Sequence, residues 1–303
     1  MLYNIVIFAS IQLKCNMKDK TLLVVGGTDG IGKEIALKAG SGNTVIIVGR
    51  SEAKGNVLLS KYPNWYFYPT DLSEMKNVTK LADKIGANHN EIDYFVHTAD
   101  VLLDKRVETR EGLEISIATN FYARVLLNHL LLTNFNFKPS RIMHIALAGA
   151  PFGHKTFVKD FPLAPEVNSA KGHMVGQVAN DAYGLYMQRL LKNNTKVNIL
   201  NPGMVDTNIR RNGELPTMMK WLMPIFSLMR PFIETKPHEY AEIPFSILEG
   251  RNEVANANVL ISPKGGKAKA SKVVSSIKNQ TTVMRSTENQ LSEIIKGEVQ
   301  LIS

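Results

Sequence analysis

The chain has 303 residues, of which 44% are hydrophobic and 21% charged, a balance suited to one large α/β domain with a substantial buried core. Its single cysteine, Cys15, excludes a disulfide framework within the chain and any multi-cysteine metal site, and it fits a reducing, cytoplasmic setting. The formal charge of +9 is concentrated late, around "PKGGKAKASK" from Pro263 to Lys272. That basic tail (263–303) reads as a solvated segment, with weak contact to an anionic membrane surface as the second reading; no nucleic-acid partner is expected.

The first segment, "MLYNIVIFASIQLK", is apolar from Ile5 to Ile11 but too short to span a bilayer, and it lacks the basic start of a secretory signal. Met17 opens "MKDKTLLVVGG" in the manner of a natural start, so residues 1–18 are set apart as an apolar leader without fixed order. From Thr21 onward, short β-branched runs alternate with amphipathic stretches. The runs are Thr21–Gly26, Thr44–Gly49, Trp65–Thr70, Ile92–Thr98, Arg141–Leu147, Lys196–Asn201 and Asn258–Ser262. Each is a near-continuous apolar run, as a parallel sheet covered on both faces requires. Helices are expected at Gly30–Ala39, Ser73–Ile85, Arg110–Leu132 and Ser169–Leu191. Strict alternation of strand and helix predicts a doubly wound, Rossmann-type parallel sheet in a single α/β domain over residues 19–303.

"VVGGTDGIGKEIA" places Gly26, Gly30 and Gly32 directly after the first strand, and a helix opens at its end. Glycines there let the backbone turn tightly and approach a pyrophosphate, which then sits on the free N–H groups of the helix N-terminus. A strand before and a helix after is the context that makes the glycines a dinucleotide site.

The spacing Gly-x-x-x-Gly-x-Gly resembles the fingerprint T-G-x-x-x-G-I-G of the short-chain dehydrogenase/reductase family, with Val25 in place of the threonine. Further landmarks follow in order: "TDL" from Thr70 to Leu72, "ATNFYARVLL" carrying Asn120, and "NPGMVDT" from Asn201 to Thr207. The closing segments resemble the retinol-dehydrogenase-like branch, and the likeness runs from about Thr21 to about Lys296. The resemblance implies a nicotinamide cofactor held by the turn residues Gly26, Thr28, Asp29, Gly30, Ile31 and Gly32. It adds Asp71 and Leu72 beside the adenine, Ala99 after the fourth strand, and Pro202, Gly203, Val205 and Thr207 along the nicotinamide. Arg50, at the end of the second strand, suits the 2′-phosphate of NADP. Asp29 argues for NAD, because a carboxylate there repels phosphate. NADP is the expected cofactor, with NAD as the alternative.

In this family a tyrosine four residues before a lysine exchanges the proton, a serine polarises the substrate oxygen and an asparagine holds a water that connects the lysine to solvent. Asn120 lies in the right motif, and Lys171 stands for the lysine, expected to hold the cofactor ribose. Val167 then occupies the tyrosine position, and Ala146, Leu147 and Ala148 occupy that of the serine. No tyrosine in the chain has a lysine four residues later. Tyr183 lies twelve residues beyond Lys171, roughly 18 Å along a continuous helix, so a structural role is expected for it. Histidines titrate near pH 6.5 and are the remaining acids. His144 and His173 are both near, and His154 is the first choice because it follows the fifth strand. The family's Asn-Ala-Gly is here Thr98-Ala99-Asp100, which puts a charged side chain where backbone passes close to the cofactor.

Residues 208–235 form an insert where the family carries a substrate lid, and Met218, Met219, Trp221, Met223, Phe226 and Met229 make it apolar. It suits an apolar small-molecule substrate; packing on the core, membrane contact or a homo-oligomer interface are the other readings. Two functions stay open: an NAD(P)-dependent oxidoreductase acting on an apolar carbonyl or alcohol through a degenerate Tyr/Ser site, and an inactive NADP-binding protein acting as a redox-responsive binding module.

Overall fold

The computed structural model describes residues 17–103, 105–149, 158, 161, 168–191, 194–207 and 234–296. His154, Val167 and the lid residues 208–233 lie outside them. The strands β1 (Thr21–Val25), β2 (Thr44–Gly49), β3 (Tyr66–Pro69), β4 (Tyr94–His97), β5 (Arg141–Ile145), β6 (Lys196–Leu200) and β7 (Leu260–Ile261) form one sheet in the order β3-β2-β1-β4-β5-β6-β7. Every pairing is parallel. The reversal of strand order on either side of β1 opens a crevice at the strands' C-terminal ends, where such sheets bind ligands.

Successive side chains of one strand face opposite sides, so each apolar run feeds two cores. Leu23, Val25, Ile46 and Val48 join one cluster, while Leu22, Val24, Val45 and Ile47 join the other. The first cluster lies under α3 (Met75–Asn88), the central helical run and α6 (Ser169–Leu190). The second lies under α1 (Gly30–Ala39), α2 (Glu52–Leu59), α7 (Pro237–Tyr240) and α8 (Glu242–Leu248).

The central run differs from the helix expected over Arg110–Leu132. Residues 110–114 close a turn, in which Thr109 accepts from Leu113 and the Glu114 carboxylate caps the N–H groups of Ser116 and Ile117. Helix then runs as α4 (Ile115–Ile117), a π-helical segment Ala118–Tyr122 and α5 (Ala123–Thr133). Such π segments recur at functional sites because they turn one side chain out of step with its neighbours; here that residue is Asn120.

The chain after β7 is ordered. After α9 (Glu253–Ala257) and α10 (Lys272–Ser275), α11 (Ile277–Ile295) buries Val283, Met284 and Leu291 in the first cluster against α3 and α6. Its basic residues, Lys278 and Arg285, stay outside while its apolar stripe goes in, so charge alone hid a packed helix.

Candidate functional site

The turn between β1 and α1 is built around Thr98. Its hydroxyl donates to the Val25 carbonyl at 3.0 Å. A Cβ on Gly32 would lie 2.3 Å from that hydroxyl oxygen, and one on Gly26 would lie 2.5 Å from the Ala99 nitrogen. Gly26 (φ +89°) and Gly30 (φ +52°) also adopt left-handed backbone, which side chains resist. Thr207 packs its methyl against Gly30, so the segment after β6 meets the turn. The result is a backbone cradle at the N-terminus of α1, with the geometry that admits a pyrophosphate.

Asp29 caps α1: its Oδ1 accepts from the Gly30 N–H at 2.8 Å. Its Oδ2 pairs with Lys54 Nζ at 2.5 Å. The carboxylate expected to repel phosphate is therefore engaged twice. These residues, with Thr28, Lys33, Val57 and Leu58, line a cleft of about 340 Å³. Arg50 is exposed where β2 ends, without a hydrogen-bond or ion-pair partner among the described residues. Asp71 accepts from the Ser73 amide and hydroxyl, while Ile31 and Leu72 are buried in the core. Pro202 and Gly203 follow β6, with the Gly203 N–H on Asn201 Oδ1 at 2.9 Å, and Val205 bridges Thr235.

Asn120 is fully buried. Its side chain clasps Val101 from both sides, accepting from the amide at 2.8 Å and donating to the carbonyl at 3.0 Å. Its main-chain carbonyl accepts from Asn180 Nδ2 at 2.9 Å. Lys171 sits in the first turn of α6, exposed, with its backbone N–H on Asn168.

Two residues further on, the buried His173 faces Asn120 and Val101. Its Nδ1 lies 3.2 Å from the Val101 carbonyl and 3.5 Å from Asp100 Oδ1. Val101 and Asp100 offer acceptors to Nδ1, while the Asn120 amide nitrogen, nearest at 3.0 Å, offers a donor, so the contacts suit that nitrogen with or without a proton. One turn along, Gln177 donates from Nε2 to Asp100 Oδ2 at 3.3 Å and lies 3.4 Å from His173 Nε2. His173, Gln177, Asp100 and Asn120 thus converge beside Ala99, the back wall of the glycine cradle. The sequence names His173 as a nearby acid but gives no reason in residue type to pair it with Gln177, since neither is a residue of the family's tyrosine–lysine couple. The signal available was spacing: His173 and Gln177 are four residues apart on one helical face.

Below the cluster, Arg124 is buried and donates to the Ala99 carbonyl at 2.7 Å. Burial pushes its guanidinium down to about 10, opposed by the Asp100 charge, so it is a cation at neutral pH. Deeper still, His97, Asn128, His144 and Asn180 form a continuous hydrogen-bonded chain ending on the Asn120 carbonyl. Burial drives His97 down to about 3 and His144 well below the usual histidine range, so both are neutral. Tyr183 is part of this packing: its hydroxyl accepts from Asn128 at 3.3 Å, and burial pushes its pKa up. The serine position carries no hydroxyl; Ala146 and Ala148 are buried and the Ala148 carbonyl accepts from Asn201.

The family described as short chain dehydrogenase matches residues 20–149, which carry the cradle and Asn120. Human retinol dehydrogenase 13 is 26% identical over 257 residues, covering 81% of this chain and 76% of that protein. The chain belongs to the short-chain dehydrogenase/reductase family. It is a divergent member, of the retinol-dehydrogenase-like branch. Mouse polyprenol dehydrogenase is 26% identical over 209 residues, covering 64% of this chain and 62% of its own length, just under two thirds. Among solved structures, a short-chain dehydrogenase/reductase from Saccharomyces cerevisiae superposes with a TM-score of 0.60 at 17% identity, covering 84% of this chain and 98% of that one. A short chain dehydrogenase family protein from Francisella tularensis gives 0.57 at 19% identity, covering 82% and 98%. These structures share the fold. Among the described residues, no helix is long and apolar enough to cross a membrane.

Proposed function

We propose that this short-chain oxidoreductase uses NADPH to reduce an apolar carbonyl, or NADP to oxidise the corresponding alcohol. The observation that carries the reading is the cradle: a Cβ on Gly26 or Gly32 would meet backbone and Thr98, and Gly30 adopts left-handed backbone, so a side-chain-free turn opens at the N-terminus of α1. The residues present fit a nicotinamide dinucleotide. Gly26 to Gly32 would hold the pyrophosphate, Asp71 and Leu72 the adenine, and Pro202, Gly203, Val205 and Thr207 the nicotinamide. When bound, that group supplies or accepts the hydride. Arg50 and Lys33 would hold a 2′-phosphate, and the Asp29–Lys54 pair removes the repulsion that argued for NAD.

The substrate class rests on the apolar insert at 208–235 and on the relatives, whose names include a retinol and a polyprenol dehydrogenase. We place the protein in the cytoplasm, with contact to a membrane surface or a second copy through the same insert as secondary uses. The test is fluorescence titration with NADPH and NADH, followed by consumption assays with retinal, decanal and a polyprenal. NADPH binding tighter than NADH, with consumption on at least one aldehyde, supports the reading. Tight binding with no consumption across the panel supports instead the redox-responsive binding module, which the loss of tyrosine and serine favours.

A further inference from the structure

We infer that His173 and Gln177 replace the family's tyrosine and lysine, with His173 as the proton donor and Gln177 as the cofactor-ribose ligand. This rests on the oxidoreductase reading above. The two residues keep the i, i+4 spacing of the tyrosine–lysine couple on α6. His173 lies against Asn120, and both residues contact Asp100, which stands where the family has glycine. The chain lost a glycine and gained a carboxylate at the same place where it lost a phenol and an ammonium. The substitutions compensate chemically: a phenol needs a neighbouring cation to titrate near neutrality, whereas an imidazole needs an anion to orient it.

Protonated His173 carries a hydrogen on both ring nitrogens: Val101 and Asp100 are acceptors within reach of Nδ1–H, and Nε2–H is the donor. As hydride arrives at the carbonyl carbon from the reduced nicotinamide, that proton passes to the carbonyl oxygen. The products are the alcohol, the oxidised nicotinamide and neutral imidazole, which takes its next proton from solvent. Arg124 lies on the far side of Asp100, the neutral His97 and His144 lie below, and the exposed Lys171 is one half-turn away on the same helix. Gln177 Oε1 is buried without a hydrogen-bond partner. That orphan acceptor beside the cradle suits a ribose hydroxyl, which would donate to it.

The test uses the full chain with histidine-selective ¹⁵N labelling, His173 being assigned from His173→Gln. Adding NADP should move the His173 ring resonances and leave those of exposed His238 in place; an unmoved His173 overturns the assignment. In turnover, His173→Gln should lose at least about 10²-fold in kcat with NADPH affinity within about twofold of the parent. Gln177→Leu should weaken NADPH binding by about tenfold. The double variant His173→Tyr/Gln177→Lys should keep kcat within about tenfold of the parent, since it rebuilds the family couple on the same helix face. Parent-like turnover in His173→Gln overturns this inference and leaves the oxidoreductase reading intact. A parent that binds NADPH and consumes none overturns both.

Discussion

Asn180 donates its side-chain amide to the main-chain carbonyl of Asn120 at 2.9 Å. The family resemblance gives this asparagine the role of holding a water that connects the lysine to solvent. Here a buried side chain meets its carbonyl directly, and Asn180 also donates to the Gly176 carbonyl and faces His144. The carbonyl is satisfied from the core side. It fixes Asn120, which fixes Val101, against which His173 rests.

Removing that amide leaves a buried carbonyl and a buried histidine unpaired. Asn180→Ala should therefore cost about 1–3 kcal/mol. Urea denaturation checks it: a midpoint shift with an unchanged m-value is expected. An Asn180→Asp variant should do worse than Ala at neutral pH, because it adds a buried charge facing a carbonyl.

The three cradle glycines should respond differently to alanine. Gly32→Ala places Cβ 2.3 Å from Thr98 Oγ1 and 2.5 Å from the Gly26 carbonyl. Such overpacking costs about 1–3 kcal/mol and displaces the turn. Gly30→Ala meets only Thr207 at 3.4 Å and carries the strain of φ +52°. Thermal melts with and without NADPH should show Gly32→Ala losing both stability and the cofactor-induced rise, and Gly30→Ala losing the smaller share of stability.

Cofactor preference should track the charges around Asp29. Arg50→Ser should weaken NADPH by about tenfold relative to NADH, the worth of about 1.4 kcal/mol. Lys54→Ala should shift preference the same way, because it uncovers the Asp29 carboxylate. Paired fluorescence titrations with the two cofactors check both; an equal loss for NADPH and NADH in either variant would contradict the assignment.

Buried Asp181 gives a pH signature. Burial raises its carboxyl to about 7, only partly offset by the Gly149 N–H on Oδ2. Because the folded pKa lies above the unfolded value, the folded state holds the extra proton between about pH 4 and pH 7, and stability falls with rising pH across that window. His97 and His144 act oppositely: their depressed values make the unfolded state bind more protons below pH 6.5, so they destabilise in acid. Asp181→Asn should remove the carboxyl contribution alone. Its stability relative to the parent should therefore rise as pH goes from 5 to 8, by up to roughly 4 kcal/mol, read from denaturant midpoints at the two pH values.

The strands and the glycine turn could be read from the chain because each leaves a local mark. Apolar runs such as Val45–Val48 state their own burial, and Gly26, Gly30 and Gly32 sit between a strand and a helix. The proton site left no such mark. His173, Gln177 and Asp100 are ordinary letters until the sheet brings the end of β4 against α6. The Asp29–Lys54 pair joins two elements in the same way, and the buried stripe of α11 was masked by basic residues before it.

The central claim is hydride transfer with NADPH at this site. Incubating the protein with NADPH deuterated at both C4 positions and retinal or decanal, then weighing the alcohol by mass spectrometry, tests it directly. The account predicts an alcohol carrying one deuterium, in an amount equal to the NADPH oxidised. Bound NADPH that persists, with unlabelled aldehyde recovered across the panel, would contradict it.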